Sequence, residues 1–171
     1  LFWILLIAFA SRLGWTLWSP HTPPSAHTED KIILDLAHNL VAGKGFVGEE
    51  GKAMATRPFV YPLLVSLFFR VFGEKMWLIE LSQVVFGVLS VWFLFLLTKS
   101  LMNQTAALIA AFIFAINPTA VFSTKIAMDE HLFIPLWLAG ILLLVLDLQK
   151  PKVSKVLLAG LCFGRGAHLR T

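Results

Sequence analysis

Apolar residues along the chain are gathered in long blocks, separated by short polar stretches. Blocks at 1–18, 76–98, 105–123 and 131–148 are each about as long as a transmembrane helix requires, and a further block begins at 155 and continues to 171. A long segment, 19–75, lies between the first two blocks. The pattern predicts an all-α, polytopic transmembrane helical bundle whose first two crossings are joined by one long loop.

The first part of this loop has the pattern of a short amphipathic helix. Thr28 is a suitable N-cap, and Glu29 and Asp30 follow in the first turn, where the helix dipole favours negative charge. Apolar residues then recur at helical spacing until Gly43, which is a natural stop. The pattern predicts a helix that lies on the membrane surface.

The second part of the loop, 57–73, is apolar but contains two prolines and Arg70. Its uninterrupted apolar stretch is about 11 residues, against the roughly 20 that a crossing needs. We therefore expect an interfacial or re-entrant helix here.

The composition agrees with a membrane protein. Of the 171 residues, 58% are hydrophobic and 14% are charged, whereas soluble domains are usually about 45–50% apolar. The net charge of +4 comes from basic residues that flank the apolar blocks, and a nucleic-acid-binding surface would instead gather them on one face. We expect membrane lipids as partners and no nucleic acid.

Lysines after the block at 131–148 set the orientation. Lys150, Lys152 and Lys155 stand in one short loop, which favours the cytoplasmic side. Counting crossings backwards puts the turn at 124–130 and the loop at 19–75 outside. We therefore expect Glu29, Asp30, Asp129 and Glu130 all to lie on the non-cytoplasmic side.

Two pairs of acids are candidates for chemistry. Glu29 and Asp30 open the amphipathic helix, and Asp129 and Glu130 stand at the outer end of a predicted crossing. Carboxylates at a membrane surface are candidates for proton transfer or substrate contact. The alternative for each pair is that it only stabilises a helix N-terminus.

Cations in the outer segments are candidates for holding a phosphate. Arg57 is the strongest, because a guanidinium is always charged and presents a fork of donors. Lys52 and Lys125 are weaker versions of the same idea. The alternative is an interfacial arginine that meets lipid headgroups.

No standard cofactor motif occurs in the sequence. The histidines at 21, 27, 38 and 131 have no metal-binding spacing, and a divalent metal held by His27 with Glu29 is the alternative to no metal at all. A Walker loop, a dinucleotide fingerprint, a GxSxG motif and a DxD motif are absent. We expect no metal and no cofactor.

The order of several short motifs carries a family resemblance. An outer acidic pair precedes a helix that ends in a Gly-x-Gly-Phe turn, a basic residue then leads into a Pro-x-x-Tyr-Pro-Leu-Leu run, and Asn-Pro is later followed by a second acidic pair. The segments are Glu29-Asp30, Gly43-Lys44-Gly45-Phe46, Arg57 to Leu64, Asn117-Pro118 and Asp129-Glu130-His131. This order resembles the dolichyl-phosphate-mannose–protein mannosyltransferase superfamily, which includes the bacterial aminoarabinose transferases and many prokaryotic relatives of the GT-C fold.

The resemblance implies roles for particular residues. The catalytic base would be the acid of the first outer loop, where the family order is Asp-Glu and this chain has Glu29 followed by Asp30, so both are candidates. Arg57 would contact the lipid phosphate, with Lys52 and Lys125 as further cations. Tyr61, Asp129 and Glu130 would complete the substrate-binding residues.

The expected function is therefore a membrane glycosyltransferase. It would move a sugar from a polyprenyl phosphate to a hydroxyl of a protein, glycan or lipid acceptor, by one inverting displacement on the non-cytoplasmic side of a prokaryotic cell membrane. A transporter or lipid flippase and a non-catalytic membrane scaffold are the alternatives. Since the chain starts at Leu1 within an apolar run, we expect it to be the N-terminal piece of a longer enzyme, inactive by itself.

Overall fold

The described part of the molecule is all-α, as the apolar pattern predicts. The computed structural model describes residues 1–19, 29–48, 54, 58–149 and 156–162. The helices are α1 (Phe2–Trp18), α2 (Glu29–Val41), α3 (Val60–Phe72), α4 (Met76–Leu101), α5 (Gln104–Ala115), α6 (Pro118–Phe122) and α7 (Glu130–Gln149). A 3-10 turn, Ser123–Lys125, follows α6, and residues 156–162 are helical.

Two of these helices are long and apolar enough to cross a membrane, namely Met76–Leu101 and Glu130–Leu148. A third crossing results if α5 is taken together with the segment Pro118–Lys125, which is bent from it by 54°. Helix α1 is apolar but shorter, with 17 residues, or about 26 Å at 1.5 Å per residue.

The bend within the third crossing has a local cause. The sequence predicts one helix over 105–123, but the structure divides this segment at Ile116 and Asn117. The Asn117 side chain accepts a hydrogen bond from the Ala120 backbone N–H at 3.1 Å, and Pro118 occupies the first turn of α6. An N-cap followed by proline starts a new helix, because proline cannot donate to the preceding turn.

Helix α4 is the centre of the bundle and packs against α1, α5 and α7. The contact with α5 is close because α5 presents small side chains at Ala107, Ala111 and Ala115, which are fully buried. In membranes, small residues at helical spacing allow two backbones to approach.

A second layer, α2 and α3, lies at one end of this bundle. The apolar face of α2 (Ile33, Leu34, Ala37) packs on the buried face of α3 (Tyr61, Val65, Phe69), and Ile79 of α4 joins the same cluster. Helix α2 ends near the predicted stop, because Gly43 has the left-handed φ of 72° that turns the chain away.

Candidate functional site

The two acidic segments meet at the same end of the bundle. Helix α2, which begins at Glu29, shares its hydrophobic cluster with Ala127 and Leu132, and these two residues bracket Asp129 and Glu130 along the chain. The C-terminus of α1 and the N-terminus of α4 lie at this end as well, since Lys125 contacts both. Helix α2 and the segment on either side of Asp129 and Glu130 therefore contribute residues to one hydrophobic cluster.

Asp129 and Tyr61 are electrostatic neighbours within this region. Tyr61 is fully buried in α3, and its hydroxyl has no hydrogen-bond partner among the described residues. Burial raises the pKa of Tyr61 far above its ordinary value, and the negative charge of Asp129 raises that pKa further. Tyr61 therefore stays protonated and neutral, with a hydroxyl directed into the protein and not into solvent.

Asp30 is half-buried in the first turn of α2. Its Oδ1 accepts a hydrogen bond from the Lys31 backbone N–H at 3.0 Å, which is the helix-stabilising use that the sequence leaves open as an alternative. The side chain of Glu29 and the residues Lys52 and Arg57 lie outside the described residues.

Lys125 is engaged by other protein groups. Its Nζ lies 3.2 Å from Glu80 Oε1 and donates a hydrogen bond to the Thr16 carbonyl at 2.8 Å. Both charged side chains are nearly buried, with exposed fractions of 11% for Lys125 and 8% for Glu80. Lys125 thus joins α1, α4 and the 3-10 turn, and its charge is already balanced.

Glu130 and His131 line a cavity of about 410 Å³ between α4, the bend and α7. Ser90 of α4 and Asn117 at the bend also line it. Glu130 is exposed, whereas His131 is buried and hydrogen-bonded to the Ser123 backbone. Tyr61 is not among the residues that line this cavity.

Arg12 is a buried charged residue to which the sequence analysis assigns no role. Arg12 is completely buried in α1, and its guanidinium donates to the carbonyls of Ala115 (3.0 Å) and Phe114 (3.4 Å) at the end of α5. A charge inside an apolar block was the available signal. Its partners were not visible, because they lie more than a hundred residues away along the chain.

Gln83 is a second buried polar residue of this kind. It lies one turn beyond Glu80 on α4, is completely buried, and neither atom of its carboxamide has a partner among the described residues. The described ranges contain no group of three or more His, Cys, Asp or Glu residues able to hold a metal ion.

These features define the class of protein. A helical bundle with membrane-spanning helices, carrying buried charges and a layer of amphipathic helices at one end, is an integral membrane protein. The family model described as dolichyl-phosphate-mannose-protein mannosyltransferase matches residues 56–171, which is more than half of the chain. The chain belongs to this family, and it is a membrane glycosyltransferase of the mannosyltransferase kind. No curated protein and no solved structure matches it.

Proposed function

We propose that the protein transfers a sugar from a polyprenyl-phosphate donor to an acceptor hydroxyl, by a single inverting displacement on the non-cytoplasmic side of the membrane. The observation that supports this is that α2, which begins with Glu29 and Asp30, shares a hydrophobic cluster with Ala127 and Leu132, the residues on either side of Asp129 and Glu130 in the sequence. A site with acids from two distant segments is what a transferase needs to hold an acceptor and to remove its proton.

The base in this proposal is Asp30 or Glu29. A carboxylate accepts the proton of the acceptor hydroxyl while the hydroxyl oxygen attacks the anomeric carbon, and the bond from that carbon to the phosphate oxygen breaks. Because one displacement takes place, the configuration at the anomeric carbon inverts. Asp30 lies in the first turn of α2 and is half-buried.

The leaving polyprenyl phosphate departs as an anion and is stabilised by a cation. Arg57 is our candidate, with Lys52 as an additional one. Lys125 is assigned a supporting role, since Glu80 and the Thr16 carbonyl already hold its ammonium group. Asp129, Glu130 and Tyr61 are proposed to border the substrate, and no step requires a metal.

The proposed side of the membrane follows from the charges that flank α7. Lys150, Lys152 and Lys155 follow α7 in the sequence, and short lysine-rich loops favour the cytoplasm. The opposite end of α7 carries Asp129 and Glu130. We therefore assign this end, together with α2 and α3, to the non-cytoplasmic face of a prokaryotic cell membrane.

Paired substitutions on α2 test the proposed base. In the full-length protein, Glu29→Gln or Asp30→Asn should lower the rate of sugar transfer by about a hundredfold or more, since a general base contributes at least that much. Asp35→Asn, on the same helix but outside the first turn, is the matched control and should retain activity. Normal transfer by both Glu29→Gln and Asp30→Asn would refute the proposed site.

A transport function is the second candidate, because a bent membrane helix and buried charges are also found in transporters. Here the bend and the Glu80–Lys125 pair each have a structural explanation, namely the Asn117 cap and the joining of helix ends. Solute flux into reconstituted vesicles without covalent sugar transfer would favour the transporter.

A further inference from the structure

The break between α5 and α6 takes away the helical donors of two backbone carbonyls. In a continuous helix, the Phe114 carbonyl would accept a hydrogen bond from the N–H of residue 118, but Pro118 has no N–H. The Ala115 carbonyl would accept from Thr119, but the non-helical backbone of Asn117 (φ −59°, ψ 118°) interrupts the helix first. Within an apolar bundle these carbonyls need donors from elsewhere.

Arg12 of α1 supplies donors to both carbonyls. Its Nη1 donates to the Ala115 carbonyl at 3.0 Å and its Nη2 to the Phe114 carbonyl at 3.4 Å. The positive charge is favourable at this place because the C-terminus of α5 is the negative end of its helix dipole. Arg12 therefore caps the C-terminus of α5 from a neighbouring helix.

The packing around Arg12 fixes its position. The side chain is completely buried, and Nη1 donates a further hydrogen bond to the Ala8 carbonyl of its own helix at 3.1 Å. It passes over Gly87 of α4, where an added Cβ would lie 2.5 Å from the Arg12 Nε. The absence of a side chain at Gly87 thus lets the guanidinium pass between α1 and α4 to reach α5.

Helix α1 also contacts the segment beyond the break. Trp15 Nε1 donates to the Phe122 carbonyl at the end of α6 at 3.2 Å, and the Thr16 carbonyl accepts from Lys125 at 2.8 Å. Together with Arg12, these contacts hold the chain on both sides of the 54° bend.

The bent segment forms one wall of the cavity of about 410 Å³ that Glu130 and His131 line. Phe114, Asn117 and Ser123 belong to this wall. Because the Phe114 carbonyl accepts from Arg12, the wall begins at the residue that Arg12 holds. A change in the bend would move the wall relative to Glu130.

We propose that Arg12 is a positioning residue, which holds the bend between α5 and α6 and thereby keeps the cavity wall opposite Glu130 in the form that binds substrate. This inference rests on the proposed function, in which Glu130 borders the substrate. Arg12 itself touches neither the substrate nor the reacting atoms, and it acts through the backbone of α5 and α6.

Two substitutions of Arg12 in the full-length protein test the proposal. Arg12→Met keeps much of the length of the side chain but has no donor, whereas Arg12→Lys keeps the charge and loses the fork of donors. We expect Arg12→Met to raise the KM for a polyprenyl-phosphate sugar about tenfold or more, because a small misplacement of groups around a substrate is costly. Arg12→Lys should give an intermediate KM. A smaller folded fraction would lower the apparent kcat and leave KM unchanged.

Hydrogen–deuterium exchange provides a readout without turnover. In Arg12→Met the backbone N–H groups of residues 116–122 should exchange about tenfold faster, the equivalent of one lost hydrogen bond. The N–H groups of residues 136–146 in α7 should keep their rate, because the loss is local.

Leu97→Ala is the control for a general loss of stability. Leu97 is buried in α4, about 15 Å along the helix from Gly87 at 1.5 Å per residue, and its truncation should lower the temperature of unfolding. It should change neither the KM nor the ratio of the exchange rates of residues 116–122 and 136–146.

Several outcomes would overturn the positioning role: an unchanged KM in Arg12→Met, unchanged exchange of residues 116–122, or a uniform rise in exchange like that of Leu97→Ala. If Arg12→Met does not fold, Arg12→Lys carries the test by the same two measurements, and unmodified values in both would overturn the role. Absence of transfer by the unmodified protein, with locally faster exchange in Arg12→Met, would overturn the proposed function and leave the capping of α5 intact.

Discussion

Lys125 and Glu80 form a nearly buried ion pair, with Nζ 3.2 Å from Oε1 and 3.4 Å from Oε2. The same ammonium group donates to the Thr16 carbonyl near the end of α1. The Lys125 side chain thus connects the end of α1, the start of α4 and the 3-10 turn. Lys125 stands four residues before Asp129 in the sequence. A charge in such a position is stabilised only while its partner is present.

Removing either partner should destabilise the protein strongly. We expect Glu80→Gln and Lys125→Met each to lower the free energy of unfolding by about 3 kcal/mol, because each removes one member of a nearly buried ion pair. The double variant should lose less than the sum of the two, as measured by thermal unfolding in detergent and a double-mutant cycle. Lys99→Met is the control, since Lys99 is exposed; equal destabilisation by Lys99→Met would contradict a specific role for the pair.

Gly87 should tolerate no side chain. A Cβ built on Gly87 would lie 2.5 Å from Arg12 Nε and 2.9 Å from Arg12 Cδ, and Arg12 cannot easily move because its guanidinium is bonded to the end of α5. We expect Gly87→Ala to lower the free energy of unfolding by about 1–3 kcal/mol, the usual cost of overpacking.

Gly14 is the matched control for this prediction. It is also a helical glycine, but a Cβ added there meets nothing within 4 Å. Gly14→Ala should be neutral or slightly stabilising, because alanine favours helices over glycine. If thermal unfolding shows the same loss for both variants, the close approach of Arg12 to Gly87 is not what limits this position.

Ionisation of the Tyr61 hydroxyl should lower the free energy of unfolding, and only at alkaline pH. Its pKa in the folded protein is raised, first by burial and then by Asp129, from an ordinary value of 10.0. The unfolded chain therefore loses the proton first, so stability is unaffected below about pH 10 and falls as the pH rises above it. Unfolding measured against pH should show this fall in the unmodified protein and a smaller one in Tyr61→Phe.

Asp129→Asn tests the electrostatic part of the same effect. Removing the negative charge should lower the pKa of Tyr61 towards its ordinary value, which a difference absorbance titration against Tyr61→Phe can follow. An unchanged titration after Asp129→Asn would mean that burial alone sets the pKa. Ionisation of Tyr61 near pH 10 in the folded protein would contradict both causes.

Much of the architecture follows from the chain's hydrophobic pattern. The blocks at 76–98 and 131–148 correspond to α4 and α7, because a long apolar run in a membrane must satisfy its backbone groups within its own helix. Helix α2 was predictable as well, since the acids of its first turn and Gly43 at its end are local signals that act over a few residues.

The sequence shows which polar residues stand inside apolar blocks, but it does not show which groups they contact in the folded protein. Arg12, Glu80 and Gln83 are visible in the sequence as exceptions to their surroundings. The Arg12 guanidinium donates to carbonyls at the end of α5, and Glu80 forms an ion pair with Lys125. Both contacts depend on helix packing between segments that are far apart in the chain.

By itself, the sequence determined the helical class, the membrane setting and the identity of the candidate acids, because these depend on local composition and on spacing within one helix. Only the tertiary structure decided that the segments of Asp30 and Asp129 share one cluster, that Lys125 is already paired, and that Arg12 caps the end of α5 from a neighbouring helix. Each of these is a contact between distant segments, and the energy of such contacts depends on the packed arrangement of whole helices rather than on any local pattern.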